Sequence, residues 1–370
     1  MKNVKHRVRM TPGQIVFSGL GALCILLLLL YADGAVASVK KGLLLCARTV
    51  IPALFPFMVA SELLVGCGGA AALGRLFARP LQWLLGVPGA AACPILLGAL
   101  CGFPTGARAM AALYDKGELS AHQCTRLLTF INNPSSAYMI SAVGVSLLGS
   151  RRLGLLLYGV SLFSALLTAL ITRIVMPDNT PAKQAPIQPI RLGADVFTGA
   201  VSAAAQSMLA VCAYVLFFSA VLGALESVGG HLSHTPVLSA LLYGAIELSG
   251  GMARAAQIPN AIQAAMLCAA LACWSGISVM CQIMTVCHGR SIRFFPYVLA
   301  KAAQGILAAA LTGIVVRYVF PLLPPEHTHA GIVLPFDASL LGYAINLAFL
   351  FACMMLLLHP LRKALAPRQH

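Results

Sequence analysis

Apolar runs broken by short polar stretches set the plan of this chain. Residues 90–101 are apolar, and Pro104-Thr105-Gly106 then stops the run. The run is about half the ~20 residues that a spanning helix needs. The chain returns through Arg108 to Tyr114 and meets a polar corner, Asp115-Lys116-Gly117-Glu118. This pattern predicts a re-entrant hairpin, entering and leaving on one side. Residues 123–148 read as one crossing broken at Asn132-Asn133-Pro134-Ser135-Ser136. Later, 237–246 is again too short to span and breaks at Glu247-Leu248-Ser249-Gly250-Gly251, and 261–286 is interrupted at Trp274-Ser275-Gly276-Ile277-Ser278. Broken helices persist at membrane depth only where protein or a wet cavity satisfies the freed backbone. In transporters such segments point to the binding site.

Further spans are predicted at 15–32, 49–65 (bent at Pro52 and Pro56), 153–175, 196–225, 294–319 and 334–358. Residues 39–48 are short, basic and amphipathic, which predicts an interfacial position. Arg75 and Arg79 mark a loop, and four prolines make 176–192 a linker. Ala200, Ala203, Ala204 and Ser207 give 196–225 a small-residue face suited to close packing. Leu96-Leu97 ahead of Gly106 matches Leu241-Leu242 ahead of Gly251, and the two broken crossings correspond. Each half reads as span, hairpin, broken span, span. An odd number of crossings per half inverts the second against the first. The expected fold is all-α and polytopic, with inverted repeats, two re-entrant hairpins, two broken helices and about eight crossings. The expected units are an N-terminal helix (1–38), a first repeat (39–175), the linker (176–192), a second repeat (193–320) and a C-terminal helix with its tail (321–370).

Composition supports a membrane protein: 59% of residues are hydrophobic and 9% charged, against about 25% charged in soluble domains. The net charge of +15 forms no aromatic-interleaved patch, which argues against nucleic acid; it reads as orientation charge at loop ends. With the N-terminus in the cytoplasm, sixteen Lys and Arg fall inside and six outside (Lys40, Lys41, Arg48, Arg151, Arg152, Arg317). Arg108, Arg254 and Lys301 sit at or within the membrane. The basic start and Ala35-Val36-Ala37 also fit a cleaved signal peptide; the apolar run exceeds the ~7–15 residues of a signal core, which favours a retained helix. Twelve cysteines are scattered without CxxC, as buried thiols would be.

The residues GFPTGAR (102–108), YDKGELS, FINNPSSAYMISAVG (130–144), YGAIELSGG (243–251) and WSGISVMCQ (274–282) resemble the sporulation integral membrane protein YlbJ family. These are bacterial membrane proteins with nucleoside-recognition Gate domains, similar in plan to concentrative nucleoside transporters. The resemblance implies a role in endospore formation, with dipicolinic acid moved from mother cell toward forespore across the outer forespore membrane. Met280 stands where many relatives would carry His. Alternatives are transport of a nucleoside or another small solute, and a non-transporting sporulation scaffold, which would not need matched polar breaks.

Glu247 is an ionisable group at a break, costing about 2.5–3.5 kcal/mol to insert, and so a candidate for a coupling H+ or Na+. Its structural alternative is an ion pair with Arg254 or Lys301. Arg108 offers a fork for a carboxylate, and the half-helix from Gly106 aims N–H groups at the same anion; snorkelling is its alternative. Thr105, Gly106, Asn132, Asn133, Ser135 and Ser136 from the first half, with Ser249, Gly250, Ser275, Gly276, Ser278 and Gln282 from the second, complete the expected site for a small anion. Asn133 and Ser275 are expected to face one cavity. Lys301 and Glu62 read as snorkelling residues. His327-Thr328-His329 is a weak metal signal. No GxxxxGK[ST], HExxH or GxSxG occurs, so neither an enzyme nor a cofactor is expected. The bilayer is the other partner, and oligomeric state stays open.

Overall fold

The computed structural model describes residues 11–178, 193–229 and 235–318. Every element of the chain described there is helical. The expected last span (334–358), the histidine pair at 327–329 and most of the linker lie outside the described residues.

In chain order the helices are α1 (Pro12–Leu30), α2 (Ala32–Leu45), α3 (Ile51–Gly66), α4 (Gly69–Leu85), α5 (Ala92–Leu100), α6 (Thr105–Asp115), α7 (Ala121–Ile131) and α8 (Arg151–Val175). A π-helix, Tyr138–Leu147, stands between α7 and α8. The second half carries α9 (Ala194–Gly229), α10 (Pro236–Ile246), α11 (Leu248–Ala256), α12 (Ala261–Trp274), α13 (Gly276–Cys287) and α14 (Phe295–Tyr318). Among the described residues, α8, α9, the α12–α13 pair and α14 are long and apolar enough to cross a bilayer. Two bent pairs raise the count to as many as six: Ser18–Leu30 with Ala32–Arg48 at 94°, and Arg79–Leu85 with Gly89–Leu100 at 90°.

Two expectations fail. The stretch 39–48 is not a separate interfacial helix. It runs through α2 and a π-turn, Cys46–Val50, into α3. This rod lies antiparallel along α9, because both helices carry small residues one turn apart. A Cβ on Gly34 would run into Ser227, one on Gly42 would lie 2.9 Å from Ser219 Oγ, and one on Gly223 would strike Gly34 and Ser38. Close backbone approach of this kind is how helices associate without a hydrophobic drive. The predicted small face of α9 is used as well: Ala200, Ala204 and Ser207 are buried, and Ala204 packs with Met58 of α3. Secondly, Arg75 and Arg79 lie in a helix, α4. It starts and ends at left-handed glycines, Gly68 and Gly86. Its last carbonyls are satisfied by arginines from elsewhere: Arg173 reaches Trp83 and Leu84 at 2.7 and 2.8 Å, and Arg126 reaches Gly86 at 3.0 Å.

The expected hairpins are present as α5–α6 and α10–α11. Each is closed by a glycine pair. A Cβ on Gly106 would sit 2.7 Å from Gly98 Cα, and one on Gly251 would collide with Gly244. The halves exchange partners reciprocally. Hairpin helix α6 packs on α13 of the second half, and α11 packs on Tyr138–Leu147 of the first; α7 packs on α14, and α12 on α8. The opening helices of the two halves, α3 and α9, run antiparallel, as a pseudo-two-fold axis across the helices requires; α3 is shorter than the span expected at 49–65.

Candidate functional site

The turn of each hairpin rests on the break of its own half. In the first, Phe103 N–H donates to the Asn133 carbonyl at 3.0 Å. Gly102, at φ 79°, lies so close that a Cβ would come within 2.5 Å of Ser135 N. Ser136 Oγ donates to the Leu100 carbonyl at 3.3 Å. In the second, Ser275 and Gly276 have φ 77° and 79°. A Cβ on Gly276 would meet the carbonyls of Gly244 and Ile246 at 3.2 and 3.3 Å. Trp274 Nε1 donates to the Ala245 carbonyl at 3.3 Å.

Behind the first break lies a buried polar network. Asn133 Nδ2 donates to the Phe130 carbonyl at 2.8 Å, and its Oδ1 accepts from Gln304 Nε2 at 3.0 Å. Lys301 is not snorkelling: it is fully buried, and Nζ donates to the Asn132 carbonyl at 2.7 Å and to Gln304 Oε1 at 2.8 Å. Asn132 Oδ1 and Ser278 Oγ are buried and find no partner among the described residues. Ser135 Oγ accepts from Tyr138 N–H and starts the next helical segment.

At the second hairpin Glu247 pairs with neither Arg254 nor Lys301. Its carboxylate caps α11, accepting from Ser249 N at 2.9 Å and Gly250 N at 2.7 Å, and the residue is 5% exposed. Carboxylates are favoured at this end of a helix because its N–H groups are free and its dipole is positive. Arg254 instead pairs with Glu226 of α9 and lies over the Tyr243 ring, 3.4 Å from its centroid. Hairpin 1 has the same arrangement. Arg108 Nε donates to Glu62 Oε1 of α3 at 3.0 Å, which removes the snorkelling reading for both residues. Each hairpin is thus tied by an Arg–Glu pair to the opening helix of its own half.

A cavity of about 410 Å³ lies between α6, α3, α9 and α13. Glu62, Arg108, Asp115, Gln206, Ser207, Tyr214, Gln282, Thr285 and Arg290 supply its polar wall. Arg290 Nε donates to Asp115 Oδ1 at 2.8 Å, and Tyr214 and Thr285 share a hydroxyl hydrogen bond of 2.5 Å. Asp115 sits at the polar corner, where its hydrogen bond from Arg290 holds the carboxyl below its ordinary range. Burial raises Glu118 nearby. The two ion pairs leave the cavity wall balanced in charge. Of the residues expected to bind, Arg108 and Gln282 line this cavity. Thr105 follows Pro104, which does. Asn133 and Ser275 do not: both are buried, and α14 packs against both α7 and α12. Sequence reasoning missed Asp115 and Arg290 as wall residues. It also missed Gln304, whose spacing of three from Lys301 on an apolar helix was the available signal.

Paired hairpins resting on broken helices, inside a helical membrane fold, define the class: a polytopic α-helical membrane protein built from two interlocked halves. Residues 47–216 match the Gate family model, described as nucleoside recognition. The chain is 27% identical over 309 residues to sporulation integral membrane protein YlbJ of Bacillus subtilis (strain 168), covering 73% of this chain and 74% of the relative. The resemblance carried by the motifs around 102–108, 130–144 and 243–251 therefore holds as a likeness: the chain is similar to Gate proteins over residues 47–216 and to YlbJ over most of its length. No solved structure matches the chain.

Proposed function

We propose that this protein carries a small polar solute across a bilayer, with the cavity beside hairpin 1 as the solute's site. One observation supports this above the rest. A re-entrant hairpin of one half and a broken helix of the other meet a long helix pair around a polar space of about 410 Å³, within the ~300–1,000 Å³ of small-molecule sites.

Dipicolinate is the candidate solute, moved from mother cell toward forespore across the outer forespore membrane during sporulation. The relative's name speaks only of a sporulation membrane protein; the motif resemblance read from the sequence suggests this solute. Arg108 and Arg290 suit it chemically, since each can exchange its present carboxylate for one on the solute. A nucleoside is the second reading, favoured by the balanced charge of the wall. In either case Glu247 is proposed as the coupling group. A proton there removes an acceptor from the Gly250 N–H and loosens the tip of hairpin 2. The break residues, Asn132 to Ser136 and Ser275 to Ser278, act in this scheme as moving parts that reach the solute when a hairpin opens. Both termini and the linker are proposed to face the cytoplasm.

Vesicles containing only this protein, offered labelled dipicolinate and labelled uridine in parallel, test the reading. Dipicolinate uptake alone supports the first solute and uridine alone the second. Uptake of neither above protein-free vesicles refutes transport.

A further inference from the structure

Unwinding at the first break frees backbone carbonyls that must be paired at membrane depth. Discontinuous helices in transporters use such carbonyls to coordinate a coupling cation. In this chain a side chain from the other half already stands there. Lys301 of α14, with none of its surface exposed, directs Nζ at the Asn132 carbonyl (2.7 Å) and Gln304 Oε1 (2.8 Å). Asn132 also places Oδ1 in the interior with no partner among the described residues.

Among the described residues the surroundings hold oxygen dipoles and no carboxylate partner. The ion pairs among the described residues are Arg108–Glu62, Arg254–Glu226 and Arg290–Asp115. Facing the network, the break after α7 contributes Asn132 and Asn133, α8 Ser161 and Ser164, α12 Cys273 and α14 Gln304. A buried ammonium without a counterion is costly unless oxygens replace its water. That is the condition an alkali cation meets in a carbonyl-lined site. At the equivalent turn of the second half no lysine stands among the described residues; Trp274 and Gly276 close against hairpin 2 instead.

We propose that Lys301 is a built-in cation, filling at the first break the place of a bound alkali ion, so that the protein neither binds nor needs Na+ there. Truncating the side chain leaves an oxygen-lined space that Na+ can enter. The inference is independent of the solute and is read by binding and stability, so its failure is separable from a failure of the transport reading.

The test uses the purified full chain in lipid nanodiscs, comparing thermal unfolding in NaCl with choline chloride at equal ionic strength. The wild-type midpoint should be the same in both salts. Lys301→Ala should unfold earlier in choline, and ~150 mM Na+ should restore at least ~3 °C of the loss. Lys301→Met fills the space without a charge and should be destabilised in both salts alike. A Lys301→Ala variant indifferent to Na+ would show an ammonium that serves only as a hydrogen-bond donor, and would overturn the proposal. Should that variant not survive purification, equilibrium binding of radioactive Na+ to the chain carrying Glu247→Gln decides: stoichiometric, saturable binding that remains without the Glu247 carboxylate overturns the proposal, and none supports it.

Discussion

Replacing Glu247 by Gln changes one proton's worth of chemistry and almost no shape. In the native hairpin both carboxylate oxygens accept backbone N–H groups, at 2.9 and 2.7 Å, from a side chain 5% exposed. A glutamine can keep one of these with its carbonyl oxygen. Its NH2 group then faces the second N–H, donor against donor. A buried donor left without an acceptor costs about 1–3 kcal/mol, and losing an N-cap costs about 0.5–2 kcal/mol. The two describe the same contact and do not add, so ~2 kcal/mol is expected. At ~1–2 °C per kcal/mol for a chain of this length the unfolding midpoint should fall by ~2–4 °C. If the cap also carries the coupling proton, uptake should fall at least about tenfold, equal to ~1.4 kcal/mol in the barrier, with membrane insertion intact. Scanning fluorimetry in detergent and vesicle uptake measure the two effects separately. An unchanged midpoint would refute the cap argument, because nothing else in the hairpin offers those two N–H groups an acceptor. A lowered midpoint with normal uptake would keep the cap and remove Glu247 from coupling.

Arg108→Gln and Glu62→Gln should each weaken hairpin 1, and a double-mutant cycle should give ~0.5–1 kcal/mol of coupling, modest because both side chains keep 25–30% of their surface exposed. Coupling near zero would mean that the pair does not tie the hairpin to α3. Gly251→Ala should abolish or strongly lower folded yield, since its Cβ would overlap Gly244 and overpacking costs ~1–3 kcal/mol or more. Gly159→Ala, with open space around it, is the control and should express normally. The Asp115–Arg290 contact should be indifferent to pH above the ordinary Asp value of 3.8 and lost only below it. The folded pKa is depressed, so the stabilisation is fully present above the unfolded value and disappears as pH falls through the lowered one. A spin label at position 288 should report a mobile loop only in acid, and loosening near neutral pH would contradict the assignment.

The breaks were legible because they are local. Proline, glycine and asparagine interrupt an apolar run, and no distant contact is needed to see that a helix stops at Pro104, Asn132, Glu247 or Ser275. The repeat was legible for the same reason, since equivalent glycines sit at equivalent distances from equivalent breaks. Helix α4 was misread because Arg75 and Arg79 look like loop charges. What makes the segment a helix is its glycine boundaries and the arginines 126 and 173 that satisfy its carbonyls from distant helices.

Local sequence thus determined where the apolar runs break and that the chain lives in a membrane, because each depends on how a few neighbouring residues pair their backbone in a medium without water. Which group meets each freed end is another matter. Lys301 reaches the first break from 169 residues away, and Arg290 reaches Asp115 across 175. Both contacts arise because the halves exchange partners, placing α14 against α7 and α13 against α6. Hydropathy carries no record of that exchange: a buried lysine and a snorkelling one look alike along the chain, and only the packing of one half into the other decides between them.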